Sequence, residues 1–393
     1  MWRRSRIGAL LALVVIGLAA GRAAAHDPSR YGGLFRSRNM GANWLNSDVG
    51  LFLNAALVVA VDPRDPMHLM IGTDVGVLAS QNGGRSWHAE GKELMLGAVF
   101  ALAFGPDGQS AMCAAPSGVF RTEDGTWSPA SAPEDAHPAR AIVPAARGGK
   151  VYLLGRSRLF ASEDGGRRYR PLETDLPPGA EFGAIAVAPG PPELLLAAIG
   201  GRLMRSGDGG RHWQGGATGL PAGALDALAT DPYASARIWA AGADRLYRSD
   251  DLGRSWLAVG AALPEPHTMV RGIAADAAGT TIVLTTHRGM YRSEDAGSTW
   301  VFKEDNLPIH IEAGPLTREP DDPRVLLAVY SYMPYPEVWR SAIEGGTLLA
   351  RLDPWAIAGG IAFLLLLFIS GAWLALWLGR LRAARPQARS AAT

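Results

Sequence analysis

Ser206-Gly207-Asp208-Gly209-Gly210-Arg211-His212-Trp213 is the stretch on which the fold turns. The pattern Ser-x-Asp-x-Gly-x-x-Trp returns as Ser249-Asp250-Asp251-Leu252-Gly253-Arg254-Ser255-Trp256 and as Ser293-Glu294-Asp295-Ala296-Gly297-Ser298-Thr299-Trp300. Two copies carry Asn for Asp, from Ser37 to Trp44 with Asn39 and from Ser80 to Trp87 with Asn82. One copy ends in Tyr169 and contains Asp164, and a shortened one runs Thr122-Glu123-Asp124-Gly125-Thr126-Trp127. The aromatic ends fall at 44, 87, 127, 169, 213, 256 and 300, so every step lies between 40 and 44 residues. Self-similarity at a fixed period of this size marks a repeat architecture.

Each octet follows a short apolar strand, such as Gly33-Leu34-Phe35-Arg36 or Gly289-Met290-Tyr291-Arg292. Asp or Asn accepts backbone N–H groups across a tight turn, Gly takes positive φ, and the aromatic packs back between sheets. Upstream lies a second hairpin of small apolar residues, for example Val58 to Val61 and His68 to Gly72 across Asp62-Pro63. Four strands per repeat, stacked radially, is the arithmetic of a β-propeller, whose closed ring protects sheet edges. Inner hairpins begin near Leu57, Val99, Arg140, Phe182, Ala224, Val270 and Pro315. The expected fold is all-β, a seven-bladed β-propeller of four-stranded antiparallel blades over 26–350, plus one C-terminal transmembrane helix. Ring closure is expected to join strands around Leu316 and Val325 to Val329 with the segment Tyr31 to Asn46. Glu337-Val338-Trp339-Arg340-Ser341 with Glu344-Gly345-Gly346 reads as an eighth, decayed hairpin.

The 393 residues include 48 Gly and 27 Pro, a turn-rich composition, while 48% hydrophobic against 19% charged residues excludes wholesale disorder. Four arginines precede His26 and four follow Leu378, leaving 30 basic against 37 acidic side chains between these flanks. An acidic body repels phosphate, so nucleic acid is not an expected partner. Residues 1–25 read as a signal peptide: Arg3, Arg4 and Arg6, an apolar run, then Ala23-Ala24-Ala25. Residues 355–378 are apolar and uncharged and read as a transmembrane helix, with the arginine-bearing tail 379–393 in the cytoplasm by the positive-inside rule. The expected location is the bacterial inner membrane, with the propeller in the periplasm. Cys113 is the single cysteine, which leaves no intrachain disulfide and no Cys-based metal site.

The octets resemble the Asp-box, or bacterial neuraminidase repeat, of propellers that include sialidases, sortilin-type receptors and photosystem II stability and assembly factors. The likeness covers residues from about 31 to 345 and is closest in character to the assembly factors. It implies that the boxes sit in outer turns away from the active face, so that Asn39, Asn82, Asp124, Asp164, Asp208, Asp251 and Asp295 are architectural. Calcium binding at Asp250-Asp251 or Glu294-Asp295 is the alternative role. For a sialidase it would imply an arginine triad, a tyrosine nucleophile backed by glutamate, and an aspartate acid/base. The Arg-Ile-Pro motif of that family is absent, the corresponding strand reading Phe35-Arg36-Ser37.

If the octets join third and fourth strands, the opposite face carries the turns between second and third strands. Arginine recurs there, as Arg156 with Arg158, Arg202, Arg245 and Arg288, beside the loop that holds Tyr332 and Tyr335. Guanidinium groups in this arrangement can grip carboxylates by bidentate hydrogen bonds. A general arginine bias, 35 Arg against Lys92, Lys150 and Lys303, accounts for the pattern equally well. No phosphate-binding glycine loop, metal motif or nucleophile elbow occurs, so no cofactor and no metal are expected. The functional expectation is a membrane-anchored, non-enzymatic scaffold or assembly factor that binds a protein client through an extended acidic segment. The alternative is a sialidase-like glycoside hydrolase or carbohydrate-binding propeller.

Overall fold

The computed structural model describes residues 32–48, 51, 53–123, 125–146, 148–190, 192–221, 223, 225–309 and 311–344, together with Leu366, Phe368, Ser370, Trp373 and Trp377. The expected leader 1–25, Asp124, the tail 379–393 and all but five residues of the span 355–378 lie outside the described residues. The chain divides into two compact units, Met1–Ile343 and Glu344–Thr393. In the second, the five described residues from Leu366 onward are helical. Among the described residues no helix is long and apolar enough to cross a membrane.

In the first unit the strands form seven antiparallel sheets among the described residues. Their first strands are Ala56–Val61, Ala101–Phe104, Ala141–Pro144, Phe182–Ala188, Ala227–Thr230, Val270–Ala275 and Glu312–Arg318, which head blades 1 to 7. All seven begin within three residues of the positions expected from the sequence. Each first strand contacts the next around the ring, and the strand of blade 7 returns to that of blade 1. Blade 7 is composite: Glu312–Arg318 and Leu326–Ser331 form its inner half, Gly33–Ser37 and Leu45–Asn46 its outer half. The closure therefore joins the two ends of the repeat region by main-chain hydrogen bonds, as the sequence anticipates. Second strands such as Leu69–Thr73, Ser110–Ala115 and Ile282–Thr286 are buried throughout, because neighbouring blades cover both their faces. They read as small apolar runs, not as alternation.

The octets join third to fourth strands, and their chemistry repeats closely. Ser206 Oγ accepts the N–H of Gly210 at 2.7 Å and donates to Asp208 Oδ1 at 2.7 Å. Asp208 Oδ1 in turn accepts the N–H groups of Arg211 and His212 at 3.1 and 3.0 Å. The six full-length octet serines are each at most 1% exposed. The aromatic ends pack on the preceding blade. Trp44 meets Ala274 and Val283, Tyr169 meets Met112 and Ala114, and Trp256 meets Leu196 and Leu203. In the other direction, Arg121 Nε donates to the carbonyl of Gly165 at 2.7 Å and Arg292 Nε to that of Met40 at 2.8 Å, both in the octet of the next blade.

Two expectations need correction. Blade 4 has three strands, not four: after Arg202–Ser206 only the bridge between Arg205 and Gln214 forms. Gly215 and Gly216 follow at once and supply no side chains to hold an edge strand. The proposed eighth hairpin is instead a helix, α1 (Tyr335–Glu344). Its Tyr335, Val338 and Ala342 are buried along one stripe, and this helical spacing overrides the strand preference of Val and Trp.

The fourth octet position sits at positive φ in every described full copy, including the non-glycines Met40 (52°), Leu252 (59°) and Ala296 (54°). Ala296 is exposed, so Ala296→Gly removes strain without losing packing. It is expected to stabilise the fold by about 0.5–1 kcal/mol. Ser206→Ala strands the buried N–H of Gly210 and is expected to destabilise by about 1–3 kcal/mol. Chemical denaturation of the two variants checks both signs.

Candidate functional site

The first strand of each blade starts on the face opposite the octets, beside the turn that joins strands two and three. Five of these starts carry charge: Arg140, Glu181, Asp226, Arg271 and Glu312, in blades 3 to 7. They surround the mouth of the ring. Sequence reasoning missed this inner set. Its signal was the recurrence of a charged residue at or beside five successive hairpin starts, in blades 3 to 7.

Helix α1 lies across that mouth. The Tyr335 hydroxyl donates to the carbonyls of Ala56 at 3.2 Å and Leu57 at 2.7 Å in blade 1. Its backbone N–H donates to Glu312 Oε2 at 2.8 Å, and Arg271 donates to the same oxygen at 2.7 Å. The Arg271 guanidinium also stacks on the Tyr335 ring, 4.1 Å from its centroid. Phe100 stands edge-on to Tyr335 and to Trp339, and Arg140 of blade 3 stacks over Trp339 at 5.2 Å. A Cβ at Gly314 would collide with the Tyr335 hydroxyl, so glycine makes room for this docking. Tyr335, expected as a binding residue, is thus a buried anchor, 8% exposed, whereas Tyr332 is 68% exposed.

The expected arginines are on this face, but most are engaged. Arg156 Nε donates to the carbonyl of His137 at 2.8 Å, Arg158 pairs with Asp135 at 3.2 Å, and Arg288 lies 3.9 Å from Glu265. Each of these ties a turn to the connection entering its own blade. Arg202 and Arg245, on adjacent blades 4 and 5, are exposed and carry no ion pair among the described residues. Asp244 is spent on the backbone N–H groups of His267 and Thr268. His287 Nδ1 accepts the N–H of Met269 at 3.0 Å, which leaves its proton on Nε2; burial and Arg288 hold its pKa below the usual range.

Blades 4 and 5 contribute none of the α1 contacts described above, and a half-open cleft of about 350 Å³ lies where blade 3 meets blade 4, lined by Arg140 and Arg156 of blade 3, Glu181, Phe182 and Ala198 of blade 4, and Leu225 at the entry to blade 5, among others. A larger cleft of about 650 Å³ on the octet face holds charges that neutralise one another, with Arg121 and Arg167 on Glu123 and Lys150 on Glu163. The first offers two guanidiniums, Arg140 and Arg156, without acid partners among the described residues, and the second has one, Arg64, at its edge. Asp164, Asp208, Asp251 and Asp295 are held below the ordinary range by hydrogen bonds within their own octets. The alternative calcium positions are taken by arginines, with Asp250 on Arg237 and Arg248 and Glu294 on Arg292. Cys113 is buried beside Met95, and burial raises its pKa.

No protein-family model and no curated protein matches the chain. Among solved structures, it is similar to YCF48 bound to a D1 peptide, with TM-score 0.52 and 17% identity over 71% of this chain and 93% of that one. It is likewise similar to YCF48 from Cyanidioschyzon merolae, at 0.53 and 15% over 74% and 98%. A GH74 xyloglucanase from Xanthomonas campestris gives 0.50 and 20% over 71% of this chain, which spans about half of that enzyme at 53%. At these identities the likeness establishes the propeller fold.

Burial raises the carboxyl of Asp226 to about 6; the Val270 N–H opposes the rise and Asp244 adds to it. The folded state then holds this proton more tightly than the unfolded chain, whose Asp titrates near about 3.9. Stability from this group is full below about pH 4 and is lost as pH rises through about 6. Asp226→Asn is therefore expected to raise Tm at pH 7 relative to the parent and to change it little near pH 4. An equal shift at both pH values would show that Asp226 does not titrate in this way.

Proposed function

We propose that this protein is a docking propeller that holds an extended, acidic segment of a protein client on the face opposite its octets. The carrying observation is the pair Arg202 and Arg245, two exposed guanidiniums on neighbouring blades with no ion pair among the described residues, beside a cleft that adds Arg140 and Arg156. A carboxylate-bearing strand laid across blades 4 and 5 meets them by charge-assisted hydrogen bonds. The YCF48 structure with its D1 peptide supports the reading, since a propeller of similar shape is there bound to a peptide. The likeness of the octets to the Asp-boxes of assembly-factor propellers supports the same reading. On the sequence pattern, residues 1–25 direct export and 355–378 anchor the chain in a bacterial inner membrane, with the propeller in the periplasm and the tail 379–393 in the cytoplasm. Tethering raises the local concentration of the docking face beside membrane-bound clients.

A glycoside hydrolase is the second reading, favoured by one observation: Glu181 and Asp226 stand at the mouth on neighbouring blades, and Asp226 is raised to about 6, as a general acid requires. Against it, α1 crosses the mouth where a polysaccharide would lie. Sugar release from a glycan panel, abolished in Asp226→Asn, would establish this reading, and no release by the parent protein rejects it.

For the docking reading, Arg202→Glu combined with Arg245→Glu is expected to weaken binding of a glutamate-rich peptide by about a hundredfold, at unchanged Tm, because two charge-assisted contacts become repulsions. The parent affinity should fall steeply with salt. Equal affinity of parent and double variant, measured by biosensor, would rule out the arginine face as the docking surface.

A further inference from the structure

We infer that the cleft beside α1 is a pocket for a carboxylate with an N–H donor on the adjacent carbon and a short apolar side chain. A free amino acid and the last residue of a polypeptide both carry this chemistry. The second source rests on the docking reading; the first does not.

Two guanidiniums reach the cleft from rigid and independent supports. Arg156 is held through Nε on the His137 carbonyl at 2.8 Å, which leaves its terminal nitrogens without an ion pair among the described residues. Arg140 is held by its stack on Trp339 of α1. Such pre-organised pairs suit a carboxylate, which loses little freedom on meeting them. Glu181 is the third charge. Its carbonyl accepts the N–H of Gly200 at 3.0 Å, fixing its backbone, and its exposed carboxylate has no ion pair among the described residues. A simple anion would be repelled by Glu181, whereas a ligand with an ammonium or amide N–H beside its carboxylate satisfies all three groups. Phe182, Ala198 and Leu225, each at most 8% exposed, supply the apolar wall. Gly200, at φ 55°, has nothing within 4 Å of where a Cβ would stand, so the rim stays open. The volume of about 350 Å³ lies at the small end of the ligand-pocket range of about 300–1,000 Å³.

Calorimetric titration of the full-length protein with four probes tests this: L-leucine, acetyl-alanyl-leucine, its C-terminal amide, and 4-methylpentanoate, which is leucine without its amino group. Leucine, the peptide acid or both should bind, and the amide should bind at least about tenfold more weakly than the acid. Arg156→Gln should weaken the bound acids by about tenfold or more. Glu181→Gln should weaken leucine and the peptide acid while strengthening 4-methylpentanoate, which has no N–H donor and is repelled by the Glu181 carboxylate. Glu181 is exposed and Arg156 half-buried, and matching thermal melts confirm that the variants fold. Leucine binding assigns the free amino acid as the source; binding of the peptide acid alone assigns a chain terminus. Failure of both acids to bind, equal binding of acid and amide, or indifference to Arg156→Gln overturns the inference, whatever happens to the Arg202 and Arg245 double variant.

Discussion

The structure depends on one buried hydroxyl, used six times. In each full octet a serine with almost no exposure accepts the N–H of the glycine four residues on and donates its O–H to the Oδ1 of the Asp or Asn side chain. A turn that tight would otherwise bury unpaired donors, at a cost of about 1–3 kcal/mol for each. Once the turn is satisfied, its terminal aromatic points back into the seam between blades. The local hydrogen bond thereby sets the distance at which sheets pack.

The seams are closed from both sides. Aromatic ends reach the preceding blade, and arginines such as Arg121 and Arg292 reach the carbonyl of the fourth residue in the next octet. That carbonyl is aimed outward because its residue is left-handed, and for this reason the strained Met40 persists. Blade 7 completes the ring by pairing Gly33–Ser37 with Leu326–Ser331, so main-chain hydrogen bonds join the two ends of the repeat region.

The same ring that gives rigidity gives two unlike faces. On the octet face the larger cleft has Arg121 and Arg167 paired with Glu123 and Lys150 with Glu163. On the other, the starts of the first strands bring charge to the mouth, and α1 covers it from blades 6, 7, 1, 2 and 3. What remains between blades 3 and 4 is a cationic, half-apolar opening that the three-stranded blade 4 helps to line. Arg140 belongs to both features, since it supports the helix and lines the cleft.

Period, blade number and ring closure were legible in the sequence, because each is set by contacts within one repeat or between adjacent ones. The turn residues and aromatic ends carry that information in fixed order. Tertiary structure alone decided that the stretch from Tyr335 to Glu344 is a helix, that Tyr335 is a buried anchor, and that Arg158 and Arg288 face acids of their own blades. It also assembled Arg140, Glu181, Asp226, Arg271 and Glu312 around one mouth from positions more than 170 residues apart in the chain. Those groupings arise from the curvature of the ring, which brings far-separated strand ends to a common axis that local patterning does not encode.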